Sequence, residues 1–206
     1  MRVRGGCLAL ALALALLGMP SVAHAHLVNT RLGGFYDGML HPLTGFEDAL
    51  PWVALAILAA FQGAQRARWL LVTFPLGLLA GGGLWELMPG VSFVPALSVA
   101  LIAIVGLAVA TAIVLPLPIT LALGAIVGLV HGYLNAQAMT ETTDHLLFIS
   151  GVTAVGYVTI TLTIACAIAF LQGKGSWQAI ALRASGSWIA AIGIMAFGLQ
   201  FFVPAT

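Results

Sequence analysis

Histidine and carboxylate side chains occur together in one short segment of this sequence, at His41, Glu47 and Asp48. Imidazole nitrogens and carboxylate oxygens are ligands that suit divalent transition metals such as nickel, cobalt, zinc and copper. Pro42 can occupy the first turn of a helix, where its missing N–H costs nothing. If that helix is continuous, His41 and Asp48 lie about two turns apart on nearly one face. The alternative is a helix start whose acidic side chains only favour the helix dipole.

A second histidine of interest, His131, lies within an apolar segment. An ionisable group inside a membrane-spanning helix is costly and commonly marks a functional site. Asn135 and Met139 follow at four-residue steps and share its helix face. The alternative is a structural histidine that is hydrogen-bonded to a neighbouring helix. The sequence predicts a metal site made of His41, Glu47, Asp48, His131 and Asn135.

Five other residues are secondary candidates as metal ligands. Asp144 and His145 are adjacent, so they do not share a helix face and need not act together. Asp144 is equally well placed to cap the following helix. A free N-terminal His26 would offer its amine and its imidazole together as a chelate. The secondary set is His26, Asp37, Met139, Asp144 and His145.

The composition requires most of the protein surface to face lipid. The chain of 206 residues is 62% hydrophobic and only 6% charged, whereas soluble domains carry roughly 25% charged residues. A net charge of +1 gives no reason to expect nucleic acid as a partner. We therefore predict an all-α, polytopic membrane protein whose partners are the lipid bilayer and a metal ion. The sequence does not identify a protein partner.

Six apolar segments are long enough to span a bilayer as helices, for which about 20 residues suffice. The connections are short, which predicts one helix bundle without a soluble domain. Glycines at four-residue steps predict close packing in two of the helices; they are Gly77, Gly81, Gly124, Gly128 and Gly132. The predicted spans are about 44–64, 69–86, 94–115, 118–139, 146–172 and 179–203.

The first 25 residues have the three parts of a secretory signal peptide. Arg2 and Arg4 form a basic start, an apolar run covers 7–17, and Ala23-His24-Ala25 matches a cleavage site. The alternative is an uncleaved anchor helix, although the apolar run is short for one. We predict a signal peptide over 1–25 that is cleaved, and a mature domain over 26–206.

Charge placement predicts the orientation of the chain in a bacterial inner membrane. With the mature N-terminus in the periplasm, four basic residues fall on the cytoplasmic side, as the positive-inside rule requires. These residues are Arg66, Arg68, Lys174 and Arg183. The same topology places all the acidic residues and the C-terminus on the periplasmic side.

The chain resembles the HupE/UreJ family of small metal permeases at His41-Pro42-Leu43-Thr44-Gly45 and at His131-Gly132. Members of that family have a signal peptide ending in Ala-His-Ala, a glycine-rich periplasmic lead and six helices. They carry H-P-x-x-G-x-D-H at the first helix and H-G-x-A-H-G-x-E in the fourth. The resemblance extends over the whole chain. It implies uptake of nickel or cobalt, with the His, Asp and Glu residues of the motifs handling the metal.

At four of the His, Asp and Glu positions of the motifs this sequence departs from the family pattern. Glu47 stands at the Asp position of the first motif, and Asp48 stands at its second His position. In the fourth helix, Asn135 stands at the second His position and Ala138 at the Glu position. Nitrogen ligands are thereby exchanged for oxygen, and one carboxylate is lost. We expect this change to weaken the preference for nickel and to admit other divalent ions.

The residues and the resemblance together predict a secondary permease for a divalent transition metal, and not an enzyme. The metal ion would be the substrate, and no tightly bound cofactor is expected. One alternative is a membrane protein that binds metal without transporting it, as a sensor or an assembly subunit. A second alternative is an intramembrane hydrolase that uses Ser150 and His131, but a G-x-S-x-G motif is absent.

Overall fold

The computed structural model of this chain describes residues 32–140, 142–173 and 175–202. Within these ranges it contains eight helices and no β-strand. The helices are α1 (Gly33–Thr44), α2 (Phe46–Phe61), α3 (Ala64–Ala67), α4 (Leu70–Leu87), α5 (Val94–Thr111), α6 (Leu117–Ala136), α7 (His145–Leu171) and α8 (Trp177–Phe202). The predicted signal peptide and His26 lie outside the described residues. The packing reported below concerns the compact unit that begins at Gly34.

Five helical segments of the described chain are long and apolar enough to cross a membrane. They are Ala64–Leu87, Val94–Thr111, Leu117–Ala136, His145–Leu171 and Trp177–Gln200. A sixth crossing is obtained if α1 and α2 count as one bent span. The all-helical class predicted from composition is confirmed for the described residues. The number of spans and the signal peptide stay predictions.

The chain bends at the start of the first predicted span, so His41 and Asp48 do not lie on one continuous helix. The pair α1 and α2 is bent by 77° at Gly45, whose backbone is extended with φ −108° and ψ 130°. Pro42 therefore lies near the C-terminus of α1 and not in the first turn of a helix. Its ring removes a backbone donor there, and the Thr44 hydroxyl donates to the carbonyl of His41 at 2.8 Å. Both features help to end α1 before Gly45.

The predicted span 94–115 is also shorter in the structure, since α5 ends at Thr111. Ala112 adopts a left-handed conformation with φ 50°, a conformation that ends helices but is unfavourable for a residue with a Cβ. Leu115 precedes Pro116, and residues before proline avoid the helical region. The connection from α5 to α6 is therefore a stiff, extended segment.

Glycines bring the helix backbones into close contact in pairs, as their spacing predicts. A Cβ built at Gly81 in α4 would collide with the backbone of Leu129 in α6, and one at Gly128 would collide with the backbone of α4. The same holds between α5 and α8 at Gly106 and Gly193. Glycine at these positions lets the helices approach more closely than any side chain would allow.

The two ends of the bundle differ in charge. The end at which α2 begins and α6 finishes is called the cavity end, and the end at which α2 finishes and α4 begins is called the closed end. Among the described residues, Asp37, Glu47, Asp48, Glu86 and Asp144 lie on α1 or near helix termini at the cavity end. The arginines Arg66, Arg68 and Arg183 lie toward the closed end. Basic and acidic groups are thus separated along the bundle as the predicted topology requires.

Candidate metal centre

A cavity of about 350 Å³ lies at the cavity end. Its walls come from the junction of α1 and α2, the first turns of α5, the last turns of α6 and the end of α8. All five residues of the predicted metal site line it, namely His41, Glu47, Asp48, His131 and Asn135. The fold therefore brings together candidates that lie far apart in the sequence.

The innermost of these residues form a hydrogen-bonded cluster between α2 and α6. His131 Nδ1 lies 2.7 Å from Asp48 Oδ1. Asn135 Nδ2 donates to the same Asp48 oxygen at 2.9 Å and to the carbonyl of His131 at 2.9 Å. The side chains of His131 and Asp48 are 1% and 15% exposed. The carboxylate is therefore held by two donors and is largely buried.

The contact between His131 Nδ1 and Asp48 Oδ1 suits one tautomer of the imidazole. When Nδ1 carries the proton and Asp48 accepts it, Nε2 presents a lone pair. Carboxylates orient metal-binding imidazoles in this same way, by accepting a hydrogen bond from the nitrogen that does not bind the metal.

Two buried atoms of the cluster have no hydrogen-bond partner among the residues that the structure describes. They are His131 Nε2 and Asn135 Oδ1. Buried polar atoms in proteins are nearly always paired, so an unpaired one calls for an explanation. Both atoms present a lone pair, and both are atom types that bind divalent metals. The arrangement can donate one nitrogen and one neutral oxygen to a cation.

An aromatic ring of the core packs against the cluster. The ring of Trp52 packs edge to face against His131, with centroids 6.3 Å apart, and against Phe74 at 5.4 Å. Both Trp52 and Phe74 are fully buried. His131 therefore lies against the apolar core, of which Trp52 and Phe74 are part.

His41 and Glu47 lie at the mouth of the cavity and are exposed. The ring of His41 lies 5.9 Å from the ring of Phe148 in α7. Because of the bend at Gly45, His41 and Asp48 belong to different helices, so the predicted shared helix face is wrong. Within the described ranges, no group of three or more His, Cys, Asp and Glu side chains is close enough to hold a metal ion. The mouth and the cluster are therefore separate parts of one cavity.

Comparison with known proteins identifies the family. The model of the HupE / UreJ protein family matches residues 14–196. This chain belongs to the HupE/UreJ family. Protein HupE of Rhizobium leguminosarum bv. viciae is 29% identical to it over 178 residues, which cover 84% of this chain and 90% of that protein. No solved structure matches the chain. The family membership predicted from the two motifs is confirmed.

The secondary candidates of this HupE/UreJ protein do not line the cavity where they are described. Asp144 caps α7, since its side chain accepts a hydrogen bond from Leu147 N at 3.0 Å. His145 Nδ1 lies 2.8 Å from Glu86 Oε1, and both side chains are about half exposed. Asp37 and Met139 also lie outside the cavity lining. His26 falls outside the described residues.

Three polar residues of the cavity were not predicted. Ser98, Gln137 and Gln200 contribute to its lining. Ser98 and Gln200 interrupt apolar helices near the cavity end, which was an available but unspecific signal. Separately, the hydroxyl of Ser150 donates to the carbonyl of Leu147 at 2.7 Å, so the hydrolase alternative gains no support from a contact with a histidine.

Proposed function

We propose that this HupE/UreJ protein is a secondary permease for a divalent transition metal ion. The family is associated with nickel and cobalt transport, and these are the metals we propose here. One observation carries the proposal. In the buried cluster of Asp48, His131 and Asn135, which lines the cavity, the atoms His131 Nε2 and Asn135 Oδ1 have no hydrogen-bond partner in the described part of the chain. A permease needs such a place, where an ion exchanges water for protein ligands.

The two parts of the cavity suggest a sequence of binding steps. His41 and Glu47, at the exposed mouth, meet the hydrated ion first and attract it by charge and by imidazole coordination. The ion then passes to Nε2 of His131 and Oδ1 of Asn135. Asp48 supplies negative charge beside this inner position and offsets part of the cost of removing water from the ion.

The small number of protein ligands favours transport over storage. A structural metal site closes around its ion with four protein ligands. The cluster offers fewer, so the ion keeps some water and is bound weakly enough to leave. Conduction and transport require this balance between capture and release. The oxygen-rich donor set also supports a site that accepts several divalent ions and not nickel alone.

The orientation belongs to the same proposal. We place the cavity end and both termini on the periplasmic side of a bacterial inner membrane. The separation of acidic and basic residues along the bundle supports this orientation through the positive-inside rule. Fusion of alkaline phosphatase to the C-terminus tests it. An active fusion is expected, and an inactive one would reverse the orientation.

Metal uptake by two matched histidine variants tests the permease proposal. His131→Gln removes the inner nitrogen ligand, and we expect accumulation of radioactive nickel or cobalt to fall at least about tenfold. His145→Gln removes a histidine that also pairs with a carboxylate but lies outside the cavity. Its uptake should be close to that of the unmodified protein. Normal uptake by His131→Gln at normal expression would refute the proposal.

A protein that binds metal without transporting it is the second candidate. The replaced motif positions Asp48, Asn135 and Ala138 favour it, since two imidazoles and a carboxylate of the family pattern are absent. Purified protein in liposomes separates the two functions. Binding of nickel without its movement into the vesicles would support a sensor or an assembly subunit.

A further inference from the structure

Side chains at the closed end fasten the connection between α5 and α6 to the end of α2. Gln62 donates from Nε2 to the carbonyl of Ile113 at 2.8 Å and accepts at Oε1 from Leu115 N at 2.9 Å. Arg66 in α3 donates to the carbonyl of Leu115 at 3.2 Å. Three hydrogen bonds from neighbouring residues therefore converge on the short segment 113–115.

Between these contacts and the cavity the bundle is filled by apolar side chains. Trp52, Leu55, Val105 and Val109 are at most 1% exposed. A divalent ion cannot cross such a layer, since nothing there replaces its water. An ion that is bound in the cavity can leave at the closed end only if helices separate there.

Two helix pairs are packed too closely to separate internally. Gly81 and Gly128 bring the backbones of α4 and α6 together, and Gly106 and Gly193 do the same for α5 and α8. Arg183 in α8 also donates from Nε to the carbonyl of Ala110, at the end of α5, at 2.8 Å. The cavity lies between the pairs, with α6 on one side and α5 and α8 on the other.

We propose that the hydrogen bonds of Gln62 and Arg66 to segment 113–115 are a gate at the closed end, and that α5 and α8 move as one unit when it opens. The inference rests on the proposed permease function, which requires an exit for the ion. The gate joins α2 and α3 to the segment that follows α5 and leads into α6. Its breakage releases the end of α5 from α2 and α3, and the glycine contacts inside the α5–α8 pair stay as they are.

Thiol labelling from the closed end tests the gate without any metal. The reporter is Val105→Cys, which is fully buried in α5, in a chain that also carries Cys7→Ser and Cys166→Ser. Membrane vesicles with the closed end facing outward are treated with a membrane-impermeant maleimide. We expect Gln62→Ala and Arg66→Ala to raise the labelling rate roughly three- to tenfold, as the loss of one or two hydrogen bonds shifts the equilibrium.

Arg68→Ala is the matched control. Arg68 is two residues from Arg66 and carries the same charge, but it stacks on the ring of Trp69 at 5.6 Å and does not reach segment 113–115. Its labelling rate should equal that of the parent. Gln62→Glu keeps the acceptor for Leu115 N but loses the donor to Ile113 O, so a smaller increase is expected from a side chain of the same size.

Three results would overturn the gate. The first is an unchanged labelling rate in Gln62→Ala and Arg66→Ala. The second is an equal increase in Arg68→Ala, which would show an effect of surface charge. The third is an equal increase when the cavity end faces outward, which would show general loosening. A failure of metal uptake with the expected labelling pattern would instead count against the permease function alone.

Discussion

Two histidines of this protein make the same contact in different surroundings. His131 Nδ1 lies 2.7 Å from Asp48, and His145 Nδ1 lies 2.8 Å from Glu86. The side chains of the first pair are 1% and 15% exposed, and those of the second are 45% and 49% exposed. Only the first pair is joined by a third side chain, Asn135. Burial, and not the length of the contact, separates a candidate ion site from an ordinary surface pair.

The physical reason is the surrounding medium. Water and salt screen the exposed pair and can replace either partner, so its net contribution to stability is small. Water and salt reach the buried pair much less, so loss of one partner leaves the other without that hydrogen bond. Nε2 of His131 is also buried and has no hydrogen-bond partner within the described ranges, and it is the atom that we propose binds the ion.

The largest expected difference between the two pairs is in stability. His131→Ala leaves the carboxylate of Asp48 without its main partner, and the free energy of unfolding should fall by about 3 kcal/mol. His145→Ala removes a half-exposed partner of Glu86 and should lower the free energy of unfolding by about 0.5 kcal/mol or less. Thermal or denaturant unfolding in detergent measures both. Similar losses in the two variants would mean that burial does not distinguish the pairs.

A second prediction concerns Asn135, whose side chain donates a hydrogen bond to Asp48 of the buried pair. Asn135→Ala removes the hydrogen bond that helps to hold Asp48 against His131 and also removes a proposed oxygen ligand. The dissociation constant for nickel should rise roughly ten- to a hundredfold. Gln137→Ala is the control, because Gln137 lines the same cavity but makes no hydrogen bond to the cluster. Titration calorimetry measures the dissociation constant for nickel in both variants. An equal increase in the two would show that Asn135 does not bind the ion.

The smallest effect is expected at the mouth of the cavity. A Cβ at Gly38 collides with the backbone of Phe148 in α7, so Gly38→Ala should displace α1 and, with it, His41. The buried cluster belongs to other helices, so the KM for metal uptake should rise by only a few-fold, together with a loss of stability from the displaced backbone.

Gly83→Ala provides the comparison for Gly38→Ala. Gly83 lies in a helix with open space where its Cβ would be, so this substitution should leave uptake unchanged. If Gly38→Ala also left the KM unchanged, His41 would have no part in capturing the ion.

The sequence alone predicted which residues share the cavity better than how they are arranged in it. Because the chain has so few charges, its ionisable and amide side chains were the obvious candidates for a site. The five that were predicted line one cavity, namely His41, Glu47, Asp48, His131 and Asn135. Their motifs also predicted the family correctly. The helical class followed from composition, and the close pairing of helices followed from the glycine spacing.

The contacts among these residues could not be predicted. Asp48 and His131 are far apart in the chain, and no local pattern specifies that α2 and α6 meet there. The bend at Gly45 was missed because a proline followed by apolar residues also fits the start of a continuous helix. That error placed His41 beside Asp48 on one face, whereas the structure places His41 at the mouth and Asp48 in the cluster.

Anomalous X-ray diffraction from crystals grown with nickel would test the proposed ion site most directly. The peak should lie at coordination distance, about 2.0–2.3 Å, from His131 Nε2 and near Asn135 Oδ1, and it should disappear in His131→Gln. A peak between His145 and Glu86, or a His131 Nε2 that is hydrogen-bonded to protein with no metal in the cavity, would contradict the assignment of the buried pair as the ion site.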